Sequence, residues 1–226
     1  MNPPMNSIFK NKHSVIFDFD GTIADTFHLH ETAFRESLKD HPVKFAYKDY
    51  AGMSTREAMR QIFAENEVLI SEDEFDFLIK QKQRLANQLY KKSIEFIPGA
   101  FSFIHLLHIK GFKLSIASSG SLKNVLTGLE TLKIENYFSC IITSEDVPAA
   151  KPDPAIFRFA LKQAAVKAQQ AIVIEDALSG IQAAIAAGID VVCIDKKITE
   201  ELFSISFPVK DFFELSKLLI DGNNWE

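Results

Sequence analysis

Cysteine is scarce in this 226-residue chain: two residues, Cys140 and Cys193, far apart and each inside an apolar run (FSCII and VVCI). So thin a supply excludes a disulfide framework and reads as a reduced, buried pair of the kind found in cytoplasmic proteins. No apolar run approaches the ~18 residues of a membrane-spanning helix, so no span is expected. The opening stretch MNPPMNSIFKNKHS is polar and lacks the apolar segment of a secretory leader. Positive charge is not in excess: 25 Lys and Arg stand against 30 Asp and Glu, a formal net charge of −5. That balance speaks against nucleic acid as a partner. Internal repeats and low-complexity tracts are missing too. What remains is ordinary globular usage, 47% hydrophobic and 24% charged, enough to bury a sizeable core.

Short β-branched runs at 15–19, 113–117, 140–143, 171–174 and 191–194 read as strands. They are continuous rather than alternating, as expected where both faces are covered. Helical periodicity fills 101–109, 122–132, 154–165 and 177–187 between them. Asp153 ahead of Pro154 is expected to cap one helix, and Gly188 to stop another. Strand and helix in alternation predict an α/β fold with a parallel, Rossmann-like sheet and right-handed crossovers. The rhythm breaks between about residues 25 and 97, where only helical patterns occur (29–38, 55–64 and 71–90), until Pro98-Gly99 marks a turn. The expectation is a core domain of residues 1–25 and 97–226, with an inserted α-helical cap domain of residues 26–96.

The first strand, SVIFDFDGT, ends on two carboxylates one residue apart. On extended chain Asp18 and Asp20 point to one side, about 7 Å apart. Ligands of open parallel sheets bind outside the carboxyl ends of the strands, and other reactive groups fall at such ends: Ser118 and Ser119 after KLSIA, Lys151 after CIITSEDVPAA, Glu175 and Asp176 after AIVI. Crowded carboxylates raise one another's pKa unless a cation intervenes. A hard divalent ion resolves the conflict, and magnesium suits one or two carboxylates plus phosphate and water. The lysine and the serine hydroxyls are donors suited to an oxyanion. An aspartate can be phosphorylated covalently, and a second can carry the proton. Read singly, the serines could cap the next helix, Glu175 and Asp176 could complement a helix dipole, and Lys151 could be a surface residue.

DFDGT followed in order by IASS, KPDP and IED resembles the haloacid dehalogenase superfamily, in the branch of β-phosphoglucomutase and small sugar-phosphate phosphatases. The similarity runs from about Ser14 to Asp195, the place of the cap included. The resemblance implies that Asp18 is the nucleophile and Asp20 the general acid/base, with the Asp20 main-chain carbonyl also meeting Mg²⁺. It implies that Asp176, with Glu175 near it, completes the metal site. Ser118 and Lys151 would hold the phosphoryl group, helped by backbone amides around Gly21 and Ser119.

On the cap, the resemblance points to His30, in IADTFHLHETAF, as facing the site, though it also reads as an exposed helical histidine. Arg56, beside Thr55 in GMSTREAMR, could meet a second anionic group or pair with a helix carboxylate. Lys82, in KQKQRL, falls where sugar-phosphate enzymes of the branch place a cation, and by itself reads as solvated. His105 and His108 lack a third ligand and read as structural. The implied function is a magnesium-dependent phosphatase for a small phosphorylated metabolite such as a sugar phosphate, working through an aspartyl-phosphate, with a monomer sufficient. The alternative is a phosphomutase of the β-phosphoglucomutase kind. In that enzyme the strand-end serine leads into Ala-Ser-Lys, and arginine follows the cap's Gly-x-Ser. Here Ser119-Gly120-Ser121 and Thr55 stand there, so the second phosphate loses cationic contacts.

Overall fold

A computed structural model describes residues 8–194 and 206–221. The first seven residues, which open the stretch read as lacking a leader, and Asp195, where the resemblance ends, lie outside them. Strand β1 (Ser14–Phe17) is followed by helices α1 (Phe27–Leu38), α2 (Thr55–Glu65) and α3 (Glu72–Ser93). Then come α4 (Ala100–Ile109), β2 (Lys113–Ser118), α5 (Leu122–Leu132), β3 (Cys140–Thr143), α6 (Ala155–Ala164), β4 (Ala171–Glu175) and α7 (Leu178–Ala186). Strand β5 (Asp190–Ile194), strand β6 (Phe207–Val209) and helix α8 (Phe212–Asp221) end the described chain.

The six strands form one parallel sheet in the order β3-β2-β1-β4-β5-β6. Successive β1 residues feed opposite faces. Val15 and Phe17 join a core with α4, α5 and α8 through Phe103, Val125 and Phe212, while Ile16 joins Phe157 of α6 and Ile181 of α7. Both faces being buried, the strands read as continuous apolar runs. Each wholly buried phenylalanine contributes roughly 2–3 kcal/mol. The chain reverses direction between β2–β1 and β1–β4, so the carboxyl end of β1 lies at the switch point where such sheets bind ligands.

The three helices inserted after β1 have their own core of Phe34, Leu38, Met59, Ile62, Phe63 and Phe75, giving the expected α/β sheet with an inserted helical cap. The two connections to it run side by side. Asp25 N donates to Glu95 O (2.9 Å) and Ile97 N to Ile23 O (2.9 Å), around an antiparallel bridge between Ala24 and Phe96.

Several local readings need correction. Strand β1 stops at Phe17 rather than 19, because Ile23 N and Ala24 N both turn back to Phe19 O; Asp18 N still bonds Ile174 O at 2.9 Å. The cap of α5 is Ser121, whose side chain accepts from Asn124 N, and neither Ser118 nor Ser119. Asp153 accepts from Ala155 N (2.8 Å), with Pro154 at the cap position itself. Strand β6 and helix α8 were not foreseen, for the run PVKDFFELSKLL follows a stretch without clear alternation. Gly188 does end α7, at φ +75°. Among the described residues no helix is long and apolar enough to cross a membrane.

Candidate active site

Four loops at the carboxyl end of the sheet bring their polar residues to one place. Asp18 continues β1, Ser118 ends β2, Lys151 comes from the loop after β3, and Glu175 ends β4. Lys151 is the hub. Its Nζ donates to Asp18 Oδ1 (2.7 Å), Glu175 Oε1 (2.6 Å) and Ala117 O (2.9 Å), using all three N–H groups. Burial alone would lower the Lys151 pKa, but the two carboxylates outweigh it and raise it. Lys151 is thus a buried residue and not the surface lysine it could be when read singly.

The second Glu175 oxygen accepts from Asp176 N and Ala177 N, both at 3.0 Å, just ahead of α7. That carboxylate therefore binds the backbone just ahead of the helix as well as pairing with Lys151, while α7 itself carries no side-chain cap bond. Gly180 makes room for it: a Cβ there would lie 1.7 Å from Glu175 Oε1. Asp176 accepts from the Thr22 hydroxyl (2.9 Å) and lies against Gly21, whose φ of +89° and lack of a side chain let the DFDGT turn come this close; a Cβ would stand 2.3 Å from Asp176 Oδ2.

Asp18, Glu175 and Asp176 each offer an oxygen within 4.8 Å of the others. Burial, then the neighbouring acids, raise the Asp18 carboxyl well above the ordinary carboxylate range despite Lys151. Burial and Glu175 push Asp176 up to about 7. Three clustered carboxylates balanced by one ammonium, all hard oxygen donors, fit a magnesium ion in charge and chemistry. Asp18 and Asp176 are the better ligands, since the Glu175 oxygens are already engaged.

Asp20 lines one cavity with these three carboxylates but is not one of the trio. Its Oδ1 accepts from the Tyr90 hydroxyl and lies 3.2 Å from His30 Nε2. Burial would raise its carboxyl, but the neighbouring His30 and the Tyr90 hydrogen bond outweigh that and hold it at about 2. Lys82 completes the row, 2.7 Å from His30 Nδ1 and 3.2 Å from Thr55 Oγ1, over the Phe34 ring. Far from being solvated, Lys82 is 2% exposed. Burial pulls it down to about 7. His30 is likewise buried, and burial followed by the Lys82 charge lowers its pKa.

A cavity of about 540 Å³ joins these groups, walled by Asp18, Asp20, Ser118, Ser119 and Asp176 from the core side and by His30, Thr55 and Lys82 from the cap. Arg56 is not among them. It binds Asp76 at 2.6 Å, lies over Phe75, and borders a separate cleft, as an arginine paired with a helix carboxylate. Ser118 Oγ accepts from Gly120 N (2.9 Å). His105 and His108 pack exposed against Tyr137, His105 Nδ1 lying 3.2 Å from its hydroxyl. Sequence reasoning missed Thr22 and Tyr90. Only the four-residue spacing of Leu78, Lys82, Ala86 and Tyr90 along the buried face of α3 could have signalled the latter.

The chain is similar in sequence and fold to several known proteins. A family profile described as haloacid dehalogenase-like hydrolase matches residues 15–194. A phosphorylated carbohydrates phosphatase from Thermotoga maritima is 29% identical over 181 residues, covering 78% of this chain and 82% of that protein. A phosphoglycolate phosphatase from Pseudomonas fluorescens is 30% identical over 188 residues, 80% and 68% of the two chains. The crystal structure of a β-phosphoglucomutase from Clostridium difficile superposes with a TM-score of 0.82 at 24% identity, over 95% of this chain and 98% of that one, a likeness of fold.

Proposed function

This chain belongs to the haloacid dehalogenase-like hydrolases, and from that premise we propose a magnesium-dependent phosphatase acting on a small phosphorylated metabolite, a sugar phosphate by class. The observation that carries the reading is the trio Asp18, Glu175 and Asp176 gathered around Lys151 under a cavity of about 540 Å³.

Asp18 attacks the phosphorus; a bond forms from its carboxylate oxygen while the bond from phosphorus to the substrate oxygen breaks. Asp20, ionised in the open site, takes up a proton as the site closes over substrate and delivers it to that departing oxygen, giving the free alcohol. As a carboxylate it next takes a proton from water, whose oxygen attacks the phosphorus and breaks the bond to Asp18. Inorganic phosphate leaves, Asp20 gives its proton back to solvent, and both aspartates return to their starting forms. Ser118 and Lys151 hold the phosphoryl oxygens, Lys151 releasing part of its present hydrogen bonding to do so. Asp18, Asp176 and the Asp20 carbonyl would hold Mg²⁺, with Glu175 behind them; the ion supplies positive charge against which the phosphoryl oxygens are drawn together. The cap, residues 26–96, moves on the paired linkers and excludes water when it closes.

Phosphatase rather than mutase is favoured by the cap side of the cavity. Thr55 lines it there and Ser119 faces it from the core, Arg56 is turned to Asp76, and Lys82 is the one ammonium among the described lining residues. A bisphosphate gripped at both ends calls for more cationic charge than that.

Hydrolysis of p-nitrophenyl phosphate with magnesium, and its loss in EDTA, tests the reading. Asp18→Asn is expected to lose activity on the order of 10⁴-fold while keeping its fold by circular dichroism; retained activity would mean another nucleophile. With β-glucose 1-phosphate and catalytic glucose 1,6-bisphosphate, free phosphate is expected. Stoichiometric glucose 6-phosphate without phosphate release would establish the mutase instead.

A further inference from the structure

Tyr90 stands at the C-terminal part of α3, seventy residues from Asp20, and is wholly buried. Its ring packs near Phe19 (6.4 Å between centroids) within the main core. The ring alone would be an ordinary core aromatic. Its hydroxyl is not ordinary, because it meets two polar groups of the site, the half-buried Asp20 through Oδ1 and the buried His30 through Nε2 (2.7 Å).

The donors in this row have a fixed direction. An ionised Asp20 only accepts, so His30 Nε2 carries the ring proton and Nδ1 of the neutral ring accepts from Lys82 Nζ. Nε2–H then points to Tyr90 and Asp20, and the Tyr90 hydroxyl proton goes to Asp20 Oδ1. Both donors therefore hold one and the same carboxylate oxygen. The other, Oδ2, is turned toward Gly120 and Ser118: a Cβ on Gly120 would lie 3.1 Å from Asp20 Oδ2 and 3.1 Å from Ser118 Oγ. The absence of a side chain at Gly120 keeps the space between the Asp20 oxygen and the serine hydroxyl clear.

We infer that Tyr90 is a positioning residue: its hydroxyl clamps Asp20 Oδ1 so that Oδ2 is aimed at the oxygen leaving the phosphoryl group. It touches no reacting atom, and the inference rests on the reading of Asp20 as proton carrier. Without the Tyr90 hydroxyl only the longer His30 contact, 3.2 Å, is left to hold a carboxyl whose χ2 well is broad, and proton delivery requires heavy atoms within about 2.6–3.2 Å.

A leaving-group comparison tests this. An alkyl phosphate such as glycerol 1-phosphate needs a proton on its departing alkoxide, whereas the nitrophenolate of p-nitrophenyl phosphate departs without one. In Tyr90→Phe, kcat/KM for the alkyl phosphate is expected to fall about tenfold or more, part of the 10²–10⁴ that general acid catalysis supplies. For p-nitrophenyl phosphate it should stay within about threefold, the alkyl leaving group alone depending on the positioned acid. The ratio of the two substrates, measured in one preparation, is independent of the fraction of variant that folds. A parallel fall on both substrates would mark Tyr90 as merely structural, and no change on either would dismiss it; both overturn the inference. Asp20→Asn is run beside it. If that variant also shows no split between substrates, the role of Asp20 itself fails and the clamp falls with it. A split in Asp20→Asn but not in Tyr90→Phe removes the clamp alone.

Discussion

Lys82 is the residue whose environment departs furthest from what its neighbours in the chain suggest. Buried, with no carboxylate in direct contact, it is held near a pKa of about 7 mainly by burial, Asp20 pulling weakly the other way. In the unfolded chain it titrates at the ordinary lysine value of about 10.4. Between those two values the unfolded state binds a proton that the folded state does not, so this residue's contribution favours folding increasingly as pH rises from 7 toward 10. Wild type compared with Lys82→Met should gain on the variant by about 1 kcal/mol per pH unit in that window. Urea denaturation of both proteins at pH 7, 8 and 9 measures it; a difference that stays flat or shrinks with pH would show that the ammonium is kept in the fold. The sequence could not show this burial, because KQKQRL is polar on every side. Only its place in the Leu78-Lys82-Ala86-Tyr90 stripe separates it from a solvated lysine. Asp18 and Lys151 were legible for the opposite reason: strand-end position in a parallel sheet is a strong constraint. Tyr90 was not, since a tyrosine closing an amphipathic stripe is indistinguishable from core until its partner, seventy residues away, is folded against it.

The junction of β4 and α7 is the element on which most of the site's geometry depends. Glu175 ends the strand, its Oε2 takes two backbone N–H groups before α7, and its Oε1 takes Lys151. Gly180, one turn into α7, is what allows a carboxylate to lie against the helix. Gly180→Ala would place a methyl 1.7 Å from Glu175 Oε1, and the rigid helix cannot yield, so Glu175 must leave Lys151. Breaking a buried pair costs about 3–5 kcal/mol, so urea denaturation is expected to show about 3 kcal/mol less unfolding free energy together with loss of phosphatase activity. Ser121→Ala, which removes the α5 cap bond to Asn124 N, should cost only about 1 kcal/mol. Equal effects from the two substitutions would refute the packing argument. Helices and strands between β1 and β5 were legible from period and punctuation to within a few residues. The capping serine was misplaced because SSGS presents several hydroxyls in a row, and only backbone geometry selects the third. Strand β6 was lost because three residues carry too little pattern.

At the scale of the molecule, a mild net charge of −5 conceals a steep local imbalance, three carboxylates against one buried ammonium at the sheet's carboxyl end. Sheet order creates that imbalance, since Asp18 meets Glu175 and Asp176 only when the chain folds. Folding without a metal therefore works against charge repulsion, and a divalent ion that binds only the folded form should stabilise it. Protons compete for the same oxygens. Asp176, lifted to about 7 by burial and Glu175, carries a proton in the folded state at pH 5.5 and has lost it by pH 8. Magnesium must displace that proton at the lower pH and need not at the higher. The gain in unfolding free energy from magnesium at ten times its dissociation constant is about 1.4 kcal/mol, and it should be clearly larger at pH 8 than at pH 5.5 for one metal concentration. In EDTA at pH 8, Asp176→Asn should be more stable than wild type, having shed one of the repelling charges, and magnesium should add little to it. Urea midpoints for both proteins, with EDTA and with magnesium at each pH, give the comparison. A wild-type gain that does not change with pH, or a full gain in Asp176→Asn, would mean that the ion stabilises the protein from somewhere other than this cluster.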